Sequence, residues 1–136
     1  MPTIKDFEEI AKKFVNYFQA RDLAHADALE ILEDKVIFLE ETNLSFKDLT
    51  DDNVFEKELT EIVKKMAGSL TVFLWWLYHE YSDEEEIKFI FKKNRLFIVD
   101  PGPVESKFAR LLSKMLRKIN KFKNGLYDEI KWKENS

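Results

Sequence analysis

The stretch that decides the fold lies near the middle of the chain, at Val54–Tyr81, and reads VFEKELTEIVKKMAGSLTVFLWWLYHEY. Its large apolar residues recur at steps of three and four, which is the spacing of one face of an α-helix. Beyond Leu70 the other faces also become apolar, as expected of a buried helix. The pattern therefore predicts a central helix over residues 52–81. The residues on its main stripe are Phe55, Leu59, Ile62, Met66, Leu70, Phe73, Leu77 and Tyr81.

The second half of this stretch also fits a different structure. Residues 70–78 are rich in β-branched and aromatic side chains, which favour strands. Gly68 and Ser69 precede them and could end a helix. The alternative is therefore a helix followed by a long strand over residues 70–81. The unbroken apolar spacing favours one continuous helix.

Three further helices are predicted around the central one, over residues 3–20, 22–33 and 104–123. Each carries apolar residues at helical spacing, with charged residues on the opposite face. The third begins just after a Pro-Gly-Pro stop at residues 101–103, where Pro103 suits the first turn of a helix. These three helices are expected to pack on the central one.

Short apolar runs predict the strands. Val36–Leu39 is too short for a helix and is flanked by charged residues, so it is expected to be a strand. Residues 87–91 and 96–99 are also strand-like, and Lys93–Asn94 between them is suited to a tight turn. The sequence therefore predicts an antiparallel β-hairpin here, which the first strand could extend to three strands.

Together these elements predict a single α+β domain over residues 1–136, with four helices around a small antiparallel hairpin or a three-stranded sheet. Residues 126–132 are expected to form a strand or a helical turn, and residues 134–136 a frayed tail. The order of two helices and a strand over residues 4–41 resembles the start of cone-shaped α+β barrels of the NTF2-like type. Those folds need several long strands, which this chain lacks, so the resemblance transfers no residue and no activity.

Composition indicates a soluble, cytoplasmic protein. The chain has no cysteine, which excludes disulfides and thiolate chemistry, and its start shows no signal peptide. The longest uncharged run, Met66–Tyr78, is shorter than the roughly 18 to 20 residues that span a bilayer, so no membrane span is expected. A charged fraction of 35% with three glycines is typical of proteins from hot environments, although an AT-rich genome gives the same bias.

Positive charge is concentrated near the C-terminus. Residues 1–106 carry 13 basic and 23 acidic residues, whereas residues 107–123 carry seven basic residues and no acidic one. On a helix these cations would form a ladder on the face opposite the apolar stripe, suited to nucleic-acid phosphates. The alternative is a solvated face that pairs with the chain's own acids or with an acidic partner. The candidate nucleic-acid-binding residues are Lys107, Arg110, Lys114, Arg117, Lys118 and Lys121.

Three tryptophans are candidate interface residues. Trp75 and Trp76 are adjacent, so they point about 100° apart on a helix, and one can face the core while the other reaches a partner. Trp132 near the tail is the third candidate. Tryptophan is enriched at interface hot spots, so we expect a protein partner or self-association, although burial of both central tryptophans is the alternative.

Catalytic and cofactor signatures are absent from the sequence. His25 and His79 show no spacing typical of a metal site, and the three glycines form no phosphate-binding loop. The acidic clusters, including Glu40–Glu41, are expected to be solvated or to cap helices. We therefore expect no catalytic residue, no metal and no cofactor.

The absence of such signatures favours a non-enzymatic accessory or adaptor protein. It would act through protein–protein contacts and associate with nucleic acid through the basic C-terminal helix. The alternative is a small-ligand-binding protein or enzyme with an aromatic pocket lined by Trp75, Trp76, Tyr78 and the aromatic residues of the predicted hairpin.

Overall fold

A computed structural model of the chain describes residues 3–5, 7–19, 23–44, 49–80, 91, 94–103, 108–121 and 125–133. The described residues form strands and helices in an α+β arrangement, which confirms the predicted class. Their order is β1 (Thr3–Lys5), α1 (Phe7–Phe18), β2 (Ala28–Ile31), β3 (Val36–Glu41), α2 (Asp52–Glu80), β4 (Arg95–Asp100), α3 (Ala109–Asn120) and β5 (Glu129–Trp132).

The central helix α2 is continuous, as the apolar spacing predicts, and the alternative of a strand after residue 70 is wrong. Its start is capped by Asp51, whose Oδ1 accepts hydrogen bonds from the backbone N–H groups of Asn53 and Val54 at 3.0 and 3.2 Å. Gly68 does not interrupt the helix. A Cβ at this position would lie 1.7 Å from the carbonyl oxygen of Ala24, so glycine is needed here for close packing of the preceding segment.

The five strands form one mixed sheet in the order β1-β2-β3-β4-β5. The first three strands pair antiparallel, whereas β3 with β4 and β4 with β5 pair parallel. The parallel pairs are connected through α2 and α3, because a parallel pair needs a crossover rather than a tight turn. The three helices whose bounds are given above pack on one face of the sheet. The row Leu29, Phe38, Phe97 and Ile130 runs across the middle of that face.

The second predicted helix, over residues 22–33, is wrong. Residues 28–31 form β2, in which Leu29 and Ile31 alternate inward with half-buried residues. The leucine and alanine spacing fits a helix equally well, but pairing with both β1 and β3 stabilises the strand. The resemblance of residues 4–41 to a cone-shaped barrel loses its basis, since it rested on two initial helices.

The other boundaries differ from prediction in smaller ways. Helix α1 begins at Phe7 instead of residue 3, because Thr3–Lys5 pairs with β2 as a strand. Helix α3 spans Ala109–Asn120; residues 104–107 and 122–123 of the predicted helix lie outside the described residues. The tail forms strand β5 at Glu129–Trp132, and residues 134–136 also lie outside the described residues.

The predicted antiparallel hairpin is wrong in its pairing. β4 forms as expected near residues 96–99, but both of its edges pair in parallel, one with β3 and one with β5. No edge is left for an antiparallel partner at residues 87–91. Of that segment only Phe91 lies among the described residues, where it is helical and buried against Phe73, with ring centroids 4.9 Å apart.

Candidate functional site

Helix α3 is docked on the core by its apolar side. Met115 and Ile119 are fully buried, and Leu112 is half-buried against the same core. The indole Nε1 of Trp132 in β5 donates a hydrogen bond of 3.0 Å to the carbonyl oxygen of Leu112. This packing fixes the rotation of the helix about its axis, so the opposite side faces solvent.

The solvent side of α3 carries a row of cations, here called the basic face: Arg110, Lys114, Arg117 and Lys121. All four side chains are exposed, and none of them makes an ion pair with a described residue. At 1.5 Å per residue the row is about 17 Å long, comparable with about five phosphates along one strand of duplex DNA. The chain's own acids therefore leave this row uncompensated within the described structure.

Two other predicted ladder residues differ from this row. Lys118 is half-buried; its Nζ donates a hydrogen bond to Oε1 of Glu56 in α2 at 3.0 Å. It also lies 5.6 Å from the ring centroid of Phe55, and Lys114 lies 5.3 Å from the same ring. Lys107 lies outside the described residues.

An aromatic patch forms where the end of α1 meets the end of α2. Its members are Phe14, Tyr17, Phe18, Trp75 and His79, all linked by ring contacts of 4.7–6.2 Å. The Tyr17 and Phe18 side chains are 57% and 52% exposed, and the Trp75 indole stacks on the His79 ring. Such exposed aromatic area is typical of a contact surface.

The three candidate tryptophans lie in different environments. Trp75 belongs to the aromatic patch and is half-buried, and its indole N–H has no hydrogen-bond acceptor among the described residues. Trp76 is 4% exposed and packs against Phe73 in the core. Trp132 is half-buried between β5 and α3. Only Trp75 therefore contributes to an exposed aromatic surface.

A cavity of about 370 Å³ lies between α1 and residues 23–27. Its polar lining comes from Glu8 and Lys12 of α1, His25, Asp27 and Lys65 of α2, and alanine, valine and leucine side chains supply the rest. The segment 23–27 is held against α2 by a buried hydrogen bond of 2.7 Å, which the Ala26 N–H donates to Oγ of Ser69. The wall formed by residues 23–27 is thus held in place against α2.

Two residues that line this cavity, Asp27 and Lys65, also interact with a buried carboxyl group. The Glu40 side chain is 1% exposed, its Oε2 accepts a hydrogen bond from Nζ of Lys65, and its Oε1 has no hydrogen-bond partner. Burial raises the pKa of Glu40 from 4.5 to about 7; Lys65 opposes this shift and the nearby Asp27 carboxylate adds to it. Asp27 itself accepts a hydrogen bond of 2.8 Å from the Glu41 N–H.

The interpretation of Glu40–Glu41 as solvated acids is wrong for Glu40. The alternation of side chains along the strand could have shown this. Val36, Phe38 and Glu40 are the first, third and fifth residues of β3, and their side chains point to the helices. A carboxyl group on the apolar phase of a strand is a group held out of water. It is the kind of residue whose pKa marks a candidate functional position.

Two further features concern the described part of the chain. None of its helices has the length and apolar character needed to cross a membrane. The same residues contain no group of three histidine or acidic side chains arranged to hold a metal ion.

Comparison of the chain with protein-family models, curated proteins and solved structures finds no match. Functional inference therefore depends on the geometry of the basic face, the aromatic patch and the cavity.

Proposed function

We propose that this protein is a non-enzymatic accessory protein that associates with nucleic acid through the basic face of α3. The observation that carries the proposal is the row Arg110, Lys114, Arg117 and Lys121, exposed on one side of a docked helix with no ion pair to a described residue. Cations spaced along a rigid helix can each neutralise a phosphate and release counterions. Binding would be independent of sequence, since no module that reads base edges is recognisable.

The acidic remainder of the chain determines which side of the protein faces the nucleic acid. The whole chain has a net charge of −4 although residues 107–123 are strongly basic. The other surfaces therefore repel a polyanion, and only the side of the molecule that carries α3 attracts it. Affinity is expected to be modest and to fall steeply with salt.

The aromatic patch is the second surface of the proposed accessory protein. It lies at the ends of α1 and α2, where Tyr17, Phe18 and Trp75 form exposed and half-buried aromatic area. Aromatic anchors of this kind dominate the energetics of protein–protein contacts. We assign the patch to a protein partner, and a second copy of this chain is the first partner to test, by light scattering of wild type and Phe18→Ser.

Retention on immobilised duplex DNA tests the nucleic-acid proposal. The variant with Lys114→Glu, Arg117→Glu and Lys121→Glu should lose the salt-sensitive retention of wild type and keep its helical circular dichroism. A variant with Lys13→Glu, Lys57→Glu and Lys64→Glu makes the same change in net charge at exposed positions of α1 and α2. It should retain binding. Absence of wild-type retention at low salt would end the proposal.

Small-ligand binding is the second candidate function, favoured by the cavity between α1 and residues 23–27. The aromatic pocket expected around Trp75, Trp76 and Tyr78 does not support it, because Trp76 packs in the core.

A further inference from the structure

We propose that two copies of this chain pair along the solvent side of α2, with the second half of one helix antiparallel to that of the other. This pairing rests on the proposed function, in which the aromatic patch contacts a protein partner. It identifies that partner as a second copy of the chain and gives the geometry of the contact.

The solvent side of α2 has the spacing of paired helices. Its exposed residues recur at alternating steps of three and four along most of the helix. An average step of 3.5 residues is the spacing of the contact between two helices that pack lengthwise. These residues, here called the exposed stripe, are Lys57, Thr60, Lys64, Ala67, Thr71, Leu74 and Tyr78.

The two halves of the exposed stripe differ in charge. The first half contains lysines, as is usual for a surface that contacts water. The second half, Ala67, Thr71, Leu74 and Tyr78, carries no charge, although 35% of all residues in the chain are charged. Leu74 and Tyr78 are 41% and 49% exposed. Large apolar side chains on an uncharged part of the surface are typical of an interaction site.

The sizes of these four residues make the second half of the stripe complementary to itself. A two-fold axis midway between Thr71 and Leu74 places Tyr78 against Ala67 of the second copy. The same axis places Leu74 against Thr71 of the second copy. Each large side chain then meets a small one, and both contacts occur twice because the interface is symmetric.

The same axis also brings opposite charges together. Lys64 then lies beside the C-terminal end of α2 in the second copy, since that helix ends at Glu80. The C-terminal end of a helix carries a partial negative charge, and a nearby cation stabilises it. A parallel pairing would instead place Lys64 beside Lys64 of the second copy. The charges therefore favour the antiparallel arrangement.

The aromatic patch enlarges the contact surface. Tyr17 and Phe18 are 57% and 52% exposed, and both rings contact Trp75, which is next to Leu74 in the chain. Together with Leu74 and Tyr78 they expose about 400 Å² of mostly apolar side-chain area per copy. One side of a standard interface buries about 800 Å², of which about 60% is apolar. The surface thus supplies most of the apolar area that a stable dimer needs.

Light scattering of the full chain over about 1 µM to 1 mM protein tests the dimer. The mean mass should rise toward twice the 16.2 kDa of one chain. Leu74→Asp and Leu74→Lys should each be monomeric with unchanged circular dichroism, because each places two like charges beside the two-fold axis. An equimolar mixture of these two variants should regain the dimer. Thr60→Asp adds a charge to the same stripe outside the paired half, and it should dimerise as wild type does.

Tyr78→Ser is a second disrupting variant, which introduces no charge and should weaken the dimer about tenfold or more. The proposal is overturned if wild type stays monomeric over the whole range, which would leave the patch to a different protein. It is also overturned if the Leu74 and Tyr78 variants dimerise as wild type does, or if the mixture of Leu74 variants stays monomeric.

Retention of the same samples on duplex DNA separates this proposal from nucleic-acid association. A monomeric wild type that is retained on DNA overturns the dimer alone. A dimer that is not retained at low salt overturns the role of the basic face alone.

Discussion

Lys118 of α3 donates a hydrogen bond of 3.0 Å to Glu56 of α2, which ties the basic helix to the central one. Phe55, next to Glu56 in the chain, lies beneath both Lys114 and Lys118. One cation of α3 is therefore paired internally, whereas Arg110, Arg117 and Lys121 make no ion pair with a described residue. The cations without an internal ion pair are therefore the ones that can contact a polyanion.

Glu56→Gln should release Lys118 for phosphate contact. The Lys118 and Glu56 side chains are 37% and 57% exposed, so water screens the pair and the change should alter the free energy of unfolding by no more than about 1 kcal/mol. Binding to duplex DNA at low salt should become tighter, with a salt dependence steeper by about one phosphate contact. Fluorescence anisotropy with a labelled duplex measures both quantities. Weaker binding of this variant would show that the pair positions α3 for binding.

Phe73→Ala should destabilise the fold by about 3–5 kcal/mol, because Phe73 is fully buried in the core between α2 and the sheet. Its ring centroid lies 5.5 Å from that of Phe38 in β3. Urea unfolding followed by circular dichroism gives the change. Leu74→Ala, at the adjacent and 41% exposed position of the same helix, is the control and should cost far less. Equal losses for the two variants would place the core elsewhere.

Tyr127→Phe should cost about 1–2 kcal/mol of unfolding free energy. The Tyr127 hydroxyl is buried and donates a hydrogen bond of 2.7 Å to the carbonyl oxygen of Met66 in α2. The same burial raises the pKa of Tyr127 well above 10, so the hydroxyl stays a donor through neutral pH. Chemical denaturation compares the two proteins. No loss of stability would mean that the hydrogen bond contributes nothing net.

Glu40 should make the protein less stable as pH rises from about 4.5 to about 7. Its pKa is 4.5 as a free side chain and about 7 in the fold, so in this window the folded state binds more protons than the unfolded state. The contribution of protonated Glu40 to the free energy of unfolding is fully present below pH 4.5. It is lost as the pH rises through the folded-state pKa of about 7, and the total loss is about 3 kcal/mol.

Glu40→Gln should remove this loss. Its free energy of unfolding should exceed that of wild type by more at pH 8 than at pH 5, as measured by urea denaturation at the two pH values. Glu41→Gln, an exposed neighbour on the same strand, is the matched control and should follow wild type. Parallel pH profiles of wild type and Glu40→Gln would contradict the raised pKa.

Long helices with a regular apolar spacing are predicted well from the sequence, because many residues support the same helical face. The central helix is the clearest case, where apolar steps of three and four continue across Gly68 from Phe55 to Leu77 of α2. The amphipathic character of α3 follows from the same logic. Its apolar and basic stripes are separate in the sequence pattern, so the side that packs on the core and the side that faces solvent could be predicted without knowledge of the fold.

Short segments and their partners could not be predicted in this way. Four residues of β2 fit helical or strand spacing, and pairing with distant strands decides between them. The parallel neighbours of β4 are likewise set by the crossovers through α2 and α3, which local hairpin signals cannot reveal. The position of Glu40 beside Asp27 and Lys65 also depends on packing between distant elements.

The most direct test of the central claim is the salt dependence of binding to a short DNA duplex, measured by fluorescence anisotropy. Four phosphate contacts from the basic face predict a slope of log K against log salt of about −3.6 for wild type. Replacing Lys114, Arg117 and Lys121 with Gln leaves only Arg110, so the slope should fall to about −0.9. A variant with Gln at Lys13, Lys57 and Lys64 should keep the wild-type slope. Absence of wild-type binding at low salt, or an equal slope in both variants, would contradict the claim.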